Sequence, residues 1–341
     1  MTQRMLLAAA ARQRVCLFSE GLDSLCGLAN RLQKDTAGEF LAVSALTQNQ
    51  CEPKIENAIR RLNLLYGQRV GALVAPLQRA DSDARSGEEP SQRTRSFLLL
   101  AVGAAAALMG GTNRVEVFEN GIEMLNFPFE PCLTPEHFSR AMHPITLARM
   151  SAFLSALTTE PFLFAAPFVF HTKTDLVRSV SGTVSHDLLR DTVSCMHFPQ
   201  RNAGGAGQCG LCAGCTLRHM AFRACGVADP AARNYHADIF ADEGEGAAAP
   251  HEQSLFQMDQ RVWHLQKALD ALCPEAAVLR LSGLLRRERQ ELLQAAAVVG
   301  EASGGNVGPD LLGLMKRYAS EWADFQPHVP RLLTHALFKP S

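Results

Sequence analysis

Three cysteines stand within seven residues of one another in the run Cys209-Gly-Leu-Cys212-Ala-Gly-Cys215. Cys195 lies upstream, separated from them by a glycine-rich stretch. Three thiolates from one tight turn and a fourth from a remote strand or loop make the tetrahedral donor set that Zn²⁺ prefers. The spacing therefore predicts a zinc site. Four protein thiolates leave no open position for water or substrate, so we expect this site to be structural.

Two alternatives to zinc stay open for the cysteine cluster. Reduced cysteines with a structural or redox role would show the same clustering. An iron–sulfur cluster is the rival occupant, but the bacterial ferredoxin run requires a fourth cysteine after three further residues, followed by proline. Here Thr216-Leu217-Arg218 leads to His219, so the sequence favours zinc.

A second segment with the residues for chemistry is Val15-Cys16-Leu17-Phe18-Ser19-Glu20-Gly21-Leu22-Asp23-Ser24. It predicts a strand that feeds a turn of small residues and opens a helix, a geometry that directs backbone N–H groups at phosphate. Ser19 and Ser24 add hydroxyl donors, and Asp23 can cap the helix or hold Mg²⁺. The sequence contains no Gly-Lys-Ser/Thr, so this is not a Walker loop. An ordinary strand-to-helix turn with an Asp cap is the alternative.

Composition restricts the class of protein. The chain has 341 residues, 47% of them hydrophobic and 20% charged, which predicts a globular protein. The formal net charge of -1 argues against a surface that binds nucleic acid or anionic lipid along its whole extent. The longest apolar run, residues 97–109, is far shorter than the ~20 residues that span a bilayer. With no secretory signal at the N-terminus, we expect a soluble, cytoplasmic protein.

The first third of the chain predicts strands that alternate with helices. Strands are predicted over residues 15–18, 39–46, 70–77 and 114–118, and helices over 23–33, from 53 onward, and over 94–109. This alternation predicts an α/β fold with a doubly wound parallel sheet, whose ligands bind at the carboxyl ends of the strands. Further helices are predicted over 134–157 and 172–180.

The C-terminal third has a different pattern. Residues 239–253, rich in glycine, alanine and acidic residues, lack periodicity and predict a linker. Helical periods over 255–272, 278–299 and 310–325 predict a helical extension across residues 254–341. The first domain then spans residues 1–238 and includes the cysteine module at 195–226.

The loop and the cysteines together resemble a known family. Residues 19–24 resemble the Ser-Gly-Gly-x-Asp-Ser loop of the PP-loop ATP pyrophosphatases, which cleave ATP to AMP and pyrophosphate. Glu20 stands where that family has glycine and places a carboxylate near the pyrophosphate. The order of this loop, Cys195, the three clustered cysteines and Arg218 resembles the 7-cyano-7-deazaguanine synthase family. Segments 93–97 and 172–177 resemble two further segments of that family, so the resemblance covers about residues 12–226.

The resemblance implies both a reaction and its residues. Family members adenylate the carboxylate of 7-carboxy-7-deazaguanine with ATP, form an amide with ammonia, and dehydrate that amide to the nitrile with a second ATP. The residues then implied to be catalytic are Arg95, Lys173 and Asp23. Arg95 and Lys173 would neutralise charge on the phosphates. Alternatively, Arg95 only flanks the start of a helix, and Lys173 is an ordinary surface lysine. Backbone groups near Ser44 and Ala45 would meet the adenine. The residues implied to cradle pyrophosphate and Mg²⁺ are Ser19, Glu20, Gly21, Leu22, Asp23 and Ser24.

The extra helices and the divergent loop also resemble the branch of this family found in bacterial anti-phage systems. Members of that branch attach the activated deazaguanine to the N-terminal amine of a partner protein. We expect a homodimer that acts on a deazaguanine and binds no nucleic acid. Two alternatives stay open: a PP-loop protein that has lost catalysis and serves nucleotide binding or assembly, and a tRNA-modifying relative, against which the near-neutral charge counts.

Overall fold

Five parallel strands form the central sheet of the protein. The computed structural model describes residues 14–46, 52–76, 93–125, 142–196, 200–202, 205–231, 235, 265–266, 268–269, 272–275, 286–302 and 307–328. The strands are β1 (Arg14–Leu17), β2 (Phe40–Leu46), β3 (Val70–Pro76), β4 (Arg114–Val117) and β5 (Leu163–Ala165). They run in the order β3-β2-β1-β4-β5, and every neighbouring pair is parallel. The predicted α/β parallel sheet is confirmed.

Helices alternate with the strands of the sheet as far as β5, and more helices follow β5. They are α1 (Leu22–Lys34), α2 (Glu52–Tyr66), α3 (Arg93–Met109), α4 (Gly121–Met124), α5 (Pro144–Thr158), α6 (Lys173–Val180), α7 (His186–Arg190), α8 (Ala213–Ala224), α9 (Arg286–Val299) and α10 (Gly308–Phe325). Before α8, the strands β6 (Gln200–Asn202) and β7 (Gly205–Gly207) form a short antiparallel pair. Among the described residues, no helix is long and apolar enough to cross a membrane.

The sheet is covered on both faces, as its apolar strands require. Val15 of β1 packs in a core with residues of α3 and α5, whereas its neighbour Cys16 packs in a second core with residues of α1, α2 and α6. Successive strand residues point to opposite faces, so each strand supplies both cores. This explains why β2 is buried along almost its whole length and forms a continuous apolar run.

The chain changes direction across the sheet between β1 and β4. From β1 it proceeds outward to β2 and β3, then crosses back to add β4 and β5 on the other side of β1. The loops that leave β1 and β4 therefore turn away from each other at the carboxyl edge of the sheet, and a crevice opens between them. Ligands of doubly wound sheets bind in such a crevice.

Helices α9 and α10 share cores with the rest of the chain. Val299 of α9 lies in the α3–α5 core, and Ala166 donates its backbone N–H to Val299 O at 2.6 Å. Leu314 and Tyr318 of α10 lie in a third core with Leu217 of α8 and the four clustered cysteines. The predicted linker at 239–253 lies outside the described residues.

Several elements differ from the sequence prediction. No helix was predicted at α4, α7 or α8, and no strand at β6 or β7. Strand β5 was not predicted, because its three residues between Pro161 and Pro167 are too few to show a period. The helix predicted from residue 134 begins at Pro144 within the described part of the chain. His143 caps it by accepting the Ile145 N–H on Nδ1 at 3.2 Å, and proline is favoured in a first helical turn.

Candidate functional site

The turn between β1 and α1 lies at the crevice and presents polar groups. Ser19 Oγ lies 3.0 Å from Ser24 Oγ and accepts the backbone N–H of Gly21 at 3.1 Å. The first intrahelical bond of α1 runs from Leu25 N to Gly21 O at 3.2 Å. The amide groups of residues 22–24 thus precede the hydrogen-bonded part of the helix, and such groups at the positive end of the helix dipole bind anions.

A neighbouring segment holds this turn from the side. Val193 donates its N–H to Glu20 O at 2.9 Å, and Gly21 forms a parallel bridge with Val193. Val193 lies two residues before Cys195, so the turn is tied directly to the cysteine module. A small cavity beside the turn is lined by Ser19 and Glu20, together with Lys54 of α2.

A buried ion cluster lies behind the turn. Lys173 Nζ is 2.7 Å from Asp23 Oδ1 and 2.8 Å from Glu123 Oε2. Asn120 Nδ2 donates to Asp23 Oδ2 at 2.6 Å and also to Glu123 Oε2. The side chains of Asp23 and Lys173 are only 6% and 4% exposed, so this pair is shielded from solvent. The cluster brings together residues that follow β1, β4 and β5.

Local sequence fixes the two turns that carry this cluster. Asn120 caps α4 by accepting the N–H groups of Ile122 and Glu123, both at 3.1 Å. Thr172 and Asp175 form a capping box at the start of α6, which places Lys173 in its first turn. Gly121 N–H donates to His171 O at 2.7 Å, and a Cβ at Gly121 would lie 2.1 Å from Val169 O. Only glycine allows the two turns to approach this closely.

The ionisation of the cluster follows from burial and pairing. Burial alone would raise the pKa of Asp23, but the Lys173 ammonium and hydrogen bonds from Glu123, Lys173 and Asn120 bring it below its ordinary value. Burial raises the pKa of Glu123 to about 7. The charge of Lys173 lowers this pKa and the charge of Asp23 raises it, so these two effects oppose each other. Burial and the charges of Asp23 and Glu123 raise the pKa of Glu119 to about 8. Burial opposes the charge of Lys173, yet its two carboxylate partners raise its pKa above the ordinary value.

The same carboxylates could hold a divalent cation. Carboxylate oxygens of Asp23, Glu119 and Glu123 lie within 4.8 Å of one another. Mg²⁺ prefers oxygen ligands and is commonly bound by one or two carboxylates together with substrate phosphates. The donor set and its position beside the turn therefore fit Mg²⁺.

The four predicted zinc ligands meet at one point. Cys212 Sγ lies 3.6 Å from Cys215 Sγ and 4.0 Å from Cys195 Sγ, and Cys209 Sγ lies 4.0 Å from Cys215 Sγ. Zn–S bonds of about 2.3 Å in a tetrahedron separate the sulfurs by about 3.8 Å. The four thiols could therefore hold zinc, and none of them forms a disulfide. Hydrogen bonds from the other three thiols lower the pKa of Cys195, which favours the thiolate.

Backbone groups stabilise negative charge on these sulfurs. Cys195 Sγ accepts the Cys209 N–H at 3.2 Å, and Cys209 Sγ accepts the Cys212 N–H at 3.3 Å. Gly214 is required where α8 meets the Cys195 segment, because a Cβ there would lie 2.1 Å from Ser194 O. The fold thus brings Cys195 from one segment against Cys209, Cys212 and Cys215 from another.

Arg218 joins the cysteine module to the segment beside the phosphate turn. Its guanidinium is fully buried, pairs with Asp229 at 3.0 Å, and donates to Thr192 Oγ1 at 2.6 Å and to Leu189 O at 2.8 Å. A buried arginine with this many partners fixes the position of α8 relative to residues 189–193. Arg218 therefore has a structural role here.

Two curated proteins are similar to this chain. One is a 7-cyano-7-deazaguanine synthase from Thermoplasma volcanium, 28% identical over 235 residues, which are 64% of this chain and 90% of that protein. The other is a 7-cyano-7-deazaguanine synthase from Methanoculleus marisnigri, 26% identical over 238 residues, which are 64% of this chain and 97% of that protein. This chain is thus similar in sequence to two 7-cyano-7-deazaguanine synthases. No protein-family model matches it.

The structure places most residues implied by the resemblance to 7-cyano-7-deazaguanine synthases around one crevice. Asp23 and Lys173, 150 residues apart in sequence, are in direct contact. Ser44 and Ala45 lie in β2 beyond its last pairing with β1, and the Ser44 hydroxyl donates to Phe18 O at 2.8 Å. Arg95 belongs to α3, but its side chain lies outside the described part of the chain.

Three polar residues of the candidate site were not predicted from the sequence. Glu119, Asn120 and Glu123 follow β4 and meet Asp23 and Lys173. A signal for them was present, because Glu119 and Asn120 come within three residues of the end of a predicted strand. In a parallel sheet, that position faces the ligand crevice.

Proposed function

We propose that this chain uses ATP to adenylate the carboxylate of a 7-deazaguanine and then passes the acyl group to an amine. AMP and pyrophosphate are released. The observation that carries this proposal is the contact of Asp23 with Lys173 and Asn120 directly behind the phosphate turn. Similarity to two 7-cyano-7-deazaguanine synthases supports the substrate class.

Groups in the crevice match the pyrophosphate and the adenine of ATP and its metal ion. The amides of residues 22–24 and the hydroxyls of Ser19 and Ser24 would bind the leaving pyrophosphate. Asp23, Glu119 and Glu123 would hold Mg²⁺, which supplies positive charge next to the phosphates when bound. The backbone near Ser44 and Ala45 would contact the adenine.

The reaction needs positioning and charge rather than a nucleophilic side chain. A carboxylate oxygen of the substrate attacks the α-phosphorus, the bond from that phosphorus to the bridging oxygen breaks, and pyrophosphate leaves. Lys173 would stabilise the charge that develops on the departing pyrophosphate. The amine then attacks the acyl carbon, loses a proton, and expels AMP.

The amine decides the product. Ammonia gives an amide, which a second ATP can adenylate at its oxygen with release of pyrophosphate. The C–O bond then breaks, AMP leaves with that oxygen, the nitrogen loses its protons, and the nitrile forms. The N-terminal amine of a partner protein would follow the same acyl transfer, because any amine in line with the acyl carbon can attack it. The four cysteines would hold Zn²⁺ away from the reacting atoms. Intact mass spectrometry of proteins co-expressed with this chain distinguishes the two acceptors.

A nucleotide-binding protein without catalysis is the second candidate. Glu20 favours it, since this residue lines the cavity beside the phosphate turn, where its negative charge would oppose the charge that develops on a departing pyrophosphate during catalysis.

Pyrophosphate release separates the two candidates. With ATP, Mg²⁺, 7-carboxy-7-deazaguanine and ammonium, we expect the purified protein to release pyrophosphate, measured in a coupled colorimetric assay. Asp23→Ala should reduce this release by at least about a hundredfold, because it removes a metal ligand and the partner of Lys173.

The matched control is Asp187→Ala, which removes an exposed carboxylate that pairs with Arg190 of the same short helix. This variant should retain wild-type activity. Tight ATP binding without pyrophosphate release by the wild-type protein would instead support the non-catalytic candidate.

A further inference from the structure

Helix α10 contacts both residues that cap the helix carrying Lys173. Glu321 Oε1 accepts a hydrogen bond from Thr172 Oγ1 at 2.6 Å. One turn earlier on α10, Arg317 Nε donates to Asp175 Oδ2 at 3.0 Å. Residues four apart share one face of a helix, so α10 presents an acid and a base together to the first turn of α6.

These contacts set the orientation of the Thr172 hydroxyl. A hydroxyl has a single hydrogen to donate, and Thr172 donates it to Glu321. Its oxygen is then free to accept the Asp175 N–H at 3.1 Å, while Asp175 Oδ2 accepts the Thr172 N–H at 3.0 Å. Glu321 thus fixes the hydroxyl in the orientation that the capping box requires.

Lys173 lies between the two capping residues, so their position determines its own. Its ammonium group lies 2.7 Å from Asp23 and 2.8 Å from Glu123 in a space that leaves it 4% exposed. A displacement of about 1 Å in such a site can cost roughly a hundredfold in rate.

The same helix also contacts the other side of the ion cluster. Leu314 packs against the turn that holds Asn120 and Glu123, since a Cβ at Gly121 would lie 2.7 Å from Leu314 Cδ2. Helix α10 therefore contacts the elements on both sides of the pair formed by Lys173 and Glu123.

Packing alone does not account for an acid at position 321. Glu321 is 8% exposed, and burial raises its pKa, so an apolar residue would cost less free energy at that position. The residues that carry the family resemblance end at about 226, so Glu321 lies well beyond them.

We propose that Glu321 and Arg317 are positioning residues for Lys173. Helix α10 then contributes to the catalytic centre. Glu321 acts through the Thr172 hydroxyl, and Arg317 acts through Asp175. Neither residue needs to touch the substrate. The role in catalysis rests on the proposed function, whereas the positioning of Lys173 is measurable without it.

Chemical labelling of Lys173 tests the positioning directly. Wild-type protein is treated briefly with an N-hydroxysuccinimide ester of acetate, and acetylation of each lysine is quantified by peptide mass spectrometry. Buried and paired Lys173 should react slowly, and exposed Lys34 serves as the internal reference. In Glu321→Ala, we expect the labelling rate of Lys173 relative to Lys34 to rise about tenfold, because local opening governs access to buried groups.

Four further variants make the result specific. Asp324→Ala alters an exposed acid on the same helix and should leave the labelling of Lys173 unchanged. Glu321→Gln keeps an oxygen that accepts the Thr172 hydroxyl and should restore wild-type labelling. If Glu321→Ala does not fold, Thr172→Val replaces it, with Thr172→Ser as the conservative rescue. Unchanged labelling of Lys173 in folded Glu321→Ala or Thr172→Val would overturn the proposal.

Kinetics provide the second arm. In the pyrophosphate assay, Glu321→Ala should lower kcat about 10- to 100-fold while KM for ATP changes by less than about threefold, and Glu321→Gln should restore kcat. A purely structural role would lower the amount of folded protein and leave kcat per folded molecule unchanged, which would contradict the proposal. If the wild type releases no pyrophosphate while the labelling of Lys173 still responds to Glu321, the proposed function fails and the positioning role stands.

Discussion

Glu20 is the residue at which the phosphate turn departs most from the PP-loop pattern. Its backbone oxygen accepts the Val193 N–H, so the main chain is anchored at this point, and its side chain lines the cavity next to Ser19. A carboxylate about 4 Å from a bound phosphate opposes binding by about 1 kcal/mol where bulk water screens the two charges.

Replacement of Glu20 should therefore tighten ATP binding. Glu20→Gln is expected to lower the Kd for ATP about fivefold by removing the charge, measured by isothermal titration calorimetry with Mg²⁺. Glu20→Gly adds backbone freedom to the same loss of charge, so a comparison of the two variants separates charge from conformation. Weaker ATP binding in Glu20→Gln would show that Glu20 contributes to the nucleotide site.

Among the elements, the cysteine module bears most directly on the phosphate turn. The Cys195 segment reaches that turn through Val193, and Arg218 of α8 binds the carbonyl of Leu189 and the side chain of Thr192 in the same segment. A metal held by the four thiols would join this segment to α8. Loss of the metal should therefore loosen the turn as well as the module.

Substitution of one ligand tests this connection. Cys212→Ser should remove the metal and lower Tm by about 10 °C, which corresponds to ~7 kcal/mol in a protein of this size. Elemental analysis should find one zinc per wild-type chain. Cys225→Ser, in a half-buried cysteine outside the cluster, is the matched control and should keep both zinc and Tm. Iron with visible absorbance in the wild-type protein, or a full zinc content in Cys212→Ser, would contradict the assignment.

At the scale of the whole molecule, local sequence patterns predicted the sheet, but they could not predict contacts between residues that are distant in sequence. The apolar strands at 15–18, 39–46, 70–77 and 114–118 are visible as short runs between helical periods, and four strands of the observed sheet lie there. The three residues of β5 are recognisable as a strand only through their pairing with β4. Their position in the sheet depends on tertiary contacts that no local pattern encodes.

The candidate site shows the same division. Cysteines separated by two residues are close together in any fold, so the cluster could be predicted from sequence. Cys195, 14 residues upstream of Cys209, joins them. The resemblance supplied Lys173 and Asp23, but not their direct contact and not Glu123, the second partner of Lys173. Contact between Thr172 and Glu321 joins residues 149 apart, and neither residue type is unusual in its own segment. Only the fold brings such pairs together.

The central claim is that a substrate carboxylate attacks the α-phosphorus of ATP in the crevice between β1 and β4. Isotope transfer tests it most directly. The protein is incubated with ATP, Mg²⁺, ammonium and 7-carboxy-7-deazaguanine labelled with ¹⁸O in both carboxylate oxygens, and the nucleotide product is analysed by mass spectrometry. We expect AMP that carries one ¹⁸O atom from the carboxylate, together with unlabelled pyrophosphate. Release of ADP and phosphate, or AMP without ¹⁸O, would contradict it.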